Sequence, residues 1–273
     1  MESDRWKWGA WLYWLIDVDD LVFDSLPRVI MYHSIGVENG YGNISTNEFQ
    51  RHLRWLAQHT DVVDLPAVLD SPDAADKQVA VTFDDGLASF LWNAYPLIQK
   101  YQVPCTMFAL GASIRSRSGT SNNQQLLERL ETPDRLMSED ELNELTEDEL
   151  VTVGAHTWTH PELPTLQDPE LLHTEIVGAK RCLESALDVD IDRFAYPYNE
   201  SSPEADELVS DTYEYAVLGG GRRSRITAAT NPTAIPRIDG GVELERLTYN
   251  MADLSIHLRQ RDVDAEAKPT PSL

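Results

Sequence analysis

Short apolar, β-branched runs alternate along this chain with longer stretches in which apolar residues recur every three or four positions. The runs Arg28 to His33, Asp61 to Leu65, Gln78 to Asp84, Cys105 to Leu110, Val151 to Ala155, Arg193 to Tyr196, Tyr215 to Leu218 and Ile235 to Ile238 read as strands. Helical periodicity fills the gaps. Phe49, Leu53, Leu56 and Ala57 make one apolar stripe, with Thr46 or Asn47 expected as its N-cap. Leu87 to Tyr101 makes a second. Ser138-Glu139-Asp140-Glu141 reads as a capping box opening a helix with Leu142, Leu145 and Leu150, and Asp168 to Leu187 carries Leu171, Leu172, Ile176 and Leu183. Eight strands separated by helices predict an α/β fold, a distorted (β/α) barrel of seven or eight strands, with its reactive groups at the carboxyl ends of the strands.

The chain has 273 residues, 42% of them hydrophobic, enough for one barrel-sized domain. That domain is expected over 28–261, between an aromatic N-terminal segment at 1–27 and a disordered tail at 262–273. Residues 112–125, rich in Ser, Asn and Arg, read as a polar loop. Cys105 and Cys182 lie far apart and outside any CxxC, and both read as buried thiols. Trp6, Trp8, Trp11, Tyr13 and Trp14 are expected to pack on the barrel; the same rings could touch a membrane surface or a sugar. The apolar stretch Gly9 to Ile16 is too short to span a bilayer, and it runs into Asp17, Asp19 and Asp20 with no small-residue cleavage site, so a cytoplasmic location is expected.

Charge changes the picture further. Against 46 acidic residues stand 22 basic ones, a net charge of −24, and the only lysines are Lys7, Lys77, Lys100, Lys180 and Lys268. Such a balance excludes nucleic acid as a natural partner. The acid is spread along the chain, as in proteins of extreme halophiles, and its self-repulsion opposes the compact state wherever screening is weak. The fold or its activity is therefore expected to fail below molar salt; a melting temperature independent of salt concentration would refute this.

The candidate chemistry gathers at strand ends. Asp84 and Asp85 end the Gln78 run, His156 follows the Val151 run, Tyr196-Pro197-Tyr198 ends the Arg193 run and His33 ends the Arg28 run. In a regular strand Asp84 and Asp85 would face opposite sides, so Gly86 is expected to release a turn that aims both at the rim. His156 and His160 are four residues apart and share a face if their loop turns helical. One carboxylate with two imidazoles is a divalent-metal set, and a spare carboxylate beside it can serve as a base.

These motifs resemble those of the polysaccharide deacetylases, the family four carbohydrate esterases, over about Arg28 to Ile238. Thr82-Phe83-Asp84-Asp85-Gly86 is similar to the family's first motif and Gly154-Ala155-His156-Thr157-Trp158-Thr159-His160-Pro161 to its second, while Phe194-Ala195-Tyr196-Pro197-Tyr198 resembles the third. The resemblance implies that Asp85, His156 and His160 hold a divalent metal, usually Zn2+, with Co2+, Mn2+ or Ni2+ as alternatives. It implies Asp84 as general base and the backbone N–H of Tyr198 as an oxyanion donor. The substrate so implied is an N-acetylglucosamine-type glycan that loses its acetyl groups. An O-acetylated polysaccharide, a small cyclic amide, and a glycan-binding module without turnover are the alternatives.

Two departures from the family pattern matter. The late Leu-x-x-x-His motif that commonly supplies the acid is absent, since Asp253 stands four residues before His257. Ile30-Met31-Tyr32-His33-Ser34 instead resembles relatives whose acid histidine comes from the front of the chain, which makes His33 the expected general acid. Ala195 occupies the place where many relatives carry the arginine that steadies the base, and Arg193 is out of register, so Arg237 is the expected substitute. Asn199 replaces a frequent glycine in the third motif but tolerates left-handed backbone. His52, His59 and His173 are expected to be solvated, and Trp158 to stack on a sugar or cover the metal.

Overall fold

The computed structural model describes residues 26–70, 77–114, 122–130, 132–219 and 224–251. All eight expected strands are present: β1 (Arg28–Tyr32), β2 (Asp61–Val62), β3 (Gln78–Phe83), β4 (Cys105–Ala109), β5 (Val151–Ala155), β6 (Arg193–Ala195), β7 (Tyr215–Gly219) and β8 (Ile235–Asp239). Every pairing is parallel. The order β1-β8-β7-β6-β5-β4-β3 closes on itself through the β1–β3 pairing, so seven strands form a barrel. β2 is much shorter than its apolar run and adds to β3 alone, at Gln78 and Val79. The barrel is distorted at one seam, where Ala155↔Phe194 is the sole register pair between β5 and β6.

Because side chains alternate along a strand, each strand feeds two cores. Ile30, Tyr32, Val81, Phe83, Met107, Val153 and Phe194 face outward and join the main cluster under the helices. Val29, Ala80, Phe108, Ala195, Val217 and Ile235 form a separate cluster that fills the lumen. Gly154 belongs to the lumen, where a Cβ would lie 2.6 Å from the Phe108 ring and 2.8 Å from Arg193, so only glycine fits between them. Arg193, 5% exposed, donates to Asp64 at 2.8 Å and to Thr106 at 3.2 Å and closes the lumen beneath Phe108. Its direction is therefore away from the strand carboxyl ends.

The helices match their patterns with local differences. Helix α1 (Thr46–His59) is capped by Ser45, whose hydroxyl accepts from the Glu48 amide, so the cap lies one residue earlier than Thr46. Helix α3 (Glu139–Thr146) carries both bonds of the Ser138/Glu141 capping box. The Leu87 to Tyr101 pattern becomes a π-turn, Phe90–Ala94, running into α2 (Tyr95–Tyr101). The Asp168 to Leu187 pattern is likewise a helix with a π-turn at Thr174–Gly178, continuing into α4 (Ala179–Leu187). Leu171 leaves the expected stripe and is 54% exposed. The polar 112–125 stretch is helical at both ends, over Gly111–Ile114 and from Asn122.

Cys105 is buried and Cys182 only half-buried. His52 departs from expectation: it is fully buried, with Tyr32 Oη 3.0 Å from its Nδ1. Burial draws its pKa down to about 4, so it packs as a neutral ring. The aromatic segment 1–25, the tail 262–273 and His257 lie outside the described residues. Among the described residues no helix is long and apolar enough to cross a membrane.

Candidate metal centre and active site

At the carboxyl ends of the strands lies a cavity of about 350 Å³, lined by His33, Asp84, Asp85, His156, His160 and Tyr198, with Tyr41, Arg129, Glu162, Tyr196 and Asn199 around them. Six of the sequence-predicted residues thus converge on one cavity, and the seventh, Arg237, contacts Asp84 directly. The backbone explains how. Strand β3 ends at Phe83, and Asp85 itself turns left-handed at φ 71°, followed by Gly86 at φ 65°. That turn swings Asp85 off the strand alternation, one residue earlier than Gly86 alone would do. His160 (φ 57°), Tyr198 (φ 55°) and Asn199 (φ 57°) are also left-handed, a costly state for residues other than glycine that concentrates at functional sites.

Asp85 Oδ1 lies 3.5 Å from His156 Nε2 and 3.5 Å from His160 Nε2, and the three donor atoms lie within 4.8 Å of one another. That oxygen is buried with no hydrogen-bond partner. An anionic oxygen held out of water costs free energy unless something charged meets it, and two imidazole nitrogens converge on the same point. The donor set fits a divalent cation of nitrogen and oxygen preference such as Zn2+. The seam between β5 and β6 supplies the tautomer: the Nδ1–H of His156 donates to the Ala195 carbonyl at 2.8 Å, leaving the Nε2 lone pair free to face Asp85. At His160, burial and the neighbouring His156 bring the pKa down to about 4, so its imidazole is neutral and its lone pair available.

Asp84 is in a different position. The Arg237 guanidinium holds it in a fork, Nη1 to Oδ1 at 2.6 Å and Nη2 to Oδ2 at 2.7 Å, with both side chains buried. Burial opposes ionisation of Asp84, yet Arg237 and His156 outweigh it and hold the carboxyl well below the usual carboxylate range. Arg237 itself rests over the Phe108 ring, 5.9 Å from its centroid. His33 Nε2 lies 3.9 Å from Asp84 Oδ2. Gly42, left-handed at φ 58°, passes so close that a Cβ there would lie 3.1 Å from His33 Nδ1, and Tyr41 meets the His33 ring edge-on at 5.2 Å. Tyr198 meets the His160 ring edge-on at 4.6 Å and is 44% exposed; Tyr41 is 60% exposed.

Trp158 does not enter this cavity. Its indole packs on Gly111 and Gly178 and lines a separate groove with Arg181 and Cys182. Sequence reasoning missed Tyr41, Arg129, Glu162 and, behind the loop from His156 to His160, Glu175. In a chain with 46 acidic residues no pattern singles out one glutamate.

A polysaccharide deacetylase family profile matches residues 71–216. The Bacillus subtilis (strain 168) protein YxkH, whose polysaccharide deacetylase name is itself provisional, is 25% identical over 231 residues, covering 82% of this chain and 71% of that protein. Among solved structures, the Streptococcus pyogenes deacetylase PplD in complex with acetate is 20% identical, with a TM-score of 0.67 over 83% of this chain and 98% of that one. IcaB from Ammonifex degensii is 21% identical, with a TM-score of 0.66 over 79% of this chain and 92% of that one. At these identities the structural likeness establishes a common fold.

Proposed function

This chain belongs to the polysaccharide deacetylase family, and we propose that it is a metal-dependent hydrolase removing acetyl groups from an N-acetylglucosamine-type glycan. The observation that carries the reading is the buried, partnerless Oδ1 of Asp85 facing the Nε2 atoms of His156 and His160. These three residues would hold the cation. When bound, a divalent metal lowers the pKa of water and polarises an acyl carbonyl.

The chain's own groups divide the remaining work. Asp84, kept ionised by Arg237, is in the proton-accepting form and takes a proton from water as the oxygen attacks the acetyl carbon. The Tyr198 backbone N–H donates to the oxyanion that develops. His33 gives a proton to the departing sugar nitrogen as the C–N bond breaks, releasing acetate and a free amine. Tyr41 and Tyr198, exposed at the mouth, offer ring faces on which a pyranose can stack, which favours a glycan over a small cyclic amide.

Acetate release from N-acetylglucosamine oligomers at high salt, abolished by a chelator and restored by Zn2+ or Co2+, is the expected result. Turnover of acetylxylan or a cyclic ureide without turnover of those oligomers would replace the substrate; no release from any of them would leave a binding module. His33→Ala is expected to cut turnover by about 10²- to 10⁴-fold while leaving metal content intact. Metal lost along with turnover would reassign His33 to the ligand shell.

A further inference from the structure

The loop between the two histidine ligands is held from outside by a side chain that belongs to neither the metal set nor the acid–base pair. Glu175 Oε2 accepts the backbone N–H of Trp158 at 2.9 Å and of Thr159 at 2.8 Å, and Oε1 accepts the Thr159 hydroxyl at 2.7 Å. Several other polar groups of this loop are matched elsewhere, while His160 Nδ1 is buried without a hydrogen-bond partner. The Thr157 hydroxyl donates to the His156 carbonyl and accepts the His160 N–H at 3.0 Å, while the carbonyls of Thr157, Trp158 and Thr159 accept from Gly111, Ala112 and Arg129. Thr157 and His160 are both left-handed, at φ 66° and 57°, so the loop is a strained segment between two ligands that must keep a fixed separation.

We propose that Glu175 is the positioning residue of the metal centre, its carboxylate clamping the 157–160 loop so that His160 Nε2 stays in reach of Asp85 and His156. Glu175 lies within the Thr174–Gly178 π-turn. An extra residue in a helical turn changes which face the next side chain takes, and such turns are frequent at functional sites. Here Ile176 and Ala179, both after it in the chain, remain fully buried while Glu175 reaches the loop. The role rests on the reading of Asp85, His156 and His160 as metal ligands. It is a separate statement, since a ligand set can exist without an outer carboxylate fixing its loop.

The test compares Zn2+ affinity by calorimetry and the Co2+ absorption spectrum in the full chain and in Glu175→Ala, Glu175→Asp and Glu175→Gln, each checked for folding by circular dichroism. Glu175→Ala leaves two loop amides without their acceptor, and Zn2+ binding is expected to weaken by about 10- to 100-fold with an altered Co2+ spectrum. Glu175→Asp keeps the charge but is one methylene short, and it should behave like the alanine variant. Glu175→Gln retains one carbonyl oxygen facing both amides and is expected to restore affinity to within a few-fold. If Glu175→Ala does not fold, Glu175→Asp decides. Parental affinity and an unchanged Co2+ spectrum in folded Glu175→Ala or Glu175→Asp would overturn the clamp alone; absence of metal binding in the unsubstituted chain would overturn the ligand assignment and the clamp together.

Discussion

Asp84→Asn and Asp85→Asn are expected to silence the enzyme in two different ways, the first with metal retained and the second with metal released. The two carboxylates are adjacent in sequence and both buried, yet their surroundings differ. Both Asp84 oxygens are engaged by a guanidinium fork, whereas Asp85 turns an unpartnered oxygen toward two imidazoles. Neutralising Asp84 removes the proposed proton acceptor, an effect of about 10²- to 10⁴-fold on turnover for a general base, and leaves Asp85, His156 and His160 untouched. Neutralising Asp85 removes the anionic member of the proposed ligand set, and the remaining two nitrogens make a poor site for a hard or borderline dication. Metal analysis after dialysis, beside acetate release corrected for folded fraction, separates the two. The division of labour fails if Asp84→Asn loses its metal, or if it retains turnover within tenfold of the parent.

Much of this arrangement could be read from residues alone, because its parts are governed by local rules. Strand existence follows from short β-branched runs, and the capping box at Ser138 and Glu141 from one backbone geometry. Asp84, Asp85, His156 and Tyr198 were legible as a set because each follows a strand end, and a closed parallel barrel brings those ends together. What could not be read depends on contacts between segments distant in sequence. His52 lies on an amphipathic helix and gave no sign that Tyr32 would cover it. Trp158 sits between His156 and His160, but the left-handed Thr157 before it turns the indole toward Gly111 and Gly178. Glu175 acts through a π-turn, which no periodicity announces. Arg237 occupies an intermediate case, since position 195 lacked the usual cation and β8 offered one. Only the barrel's closure decides that the β8 side chain crosses the lumen to Asp84.

Replacing Arg237 by methionine is expected to be the most damaging single change to stability among the residues of the site. The pair is buried on both sides, with Asp84 held between burial, which opposes its charge, and Arg237, which favours it. Removing one partner of such a pair leaves an uncompensated charge and costs about 3–5 kcal/mol, a large share of the total stability of a domain. Arg237→Met should therefore lower the denaturation midpoint sharply at fixed salt, and turnover should fall with it. Adding Asp84→Asn to Arg237→Met removes the stranded charge, so the double variant is expected to be more stable than Arg237→Met while remaining inactive. The two changes are non-additive for that reason, with a coupling of about 0.5–3 kcal/mol for residues in direct contact. Arg237→Lys restores a charge without the planar fork and should fall between parent and methionine variant, because one ammonium cannot match both Asp84 oxygens. A double variant no more stable than Arg237→Met would mean that the cost lay in lost packing over Phe108 rather than in the charge. Stability recovered without activity would instead mark the Asp84–Arg237 pair as a group maintained for chemistry, since the barrel can do without it and the reaction cannot.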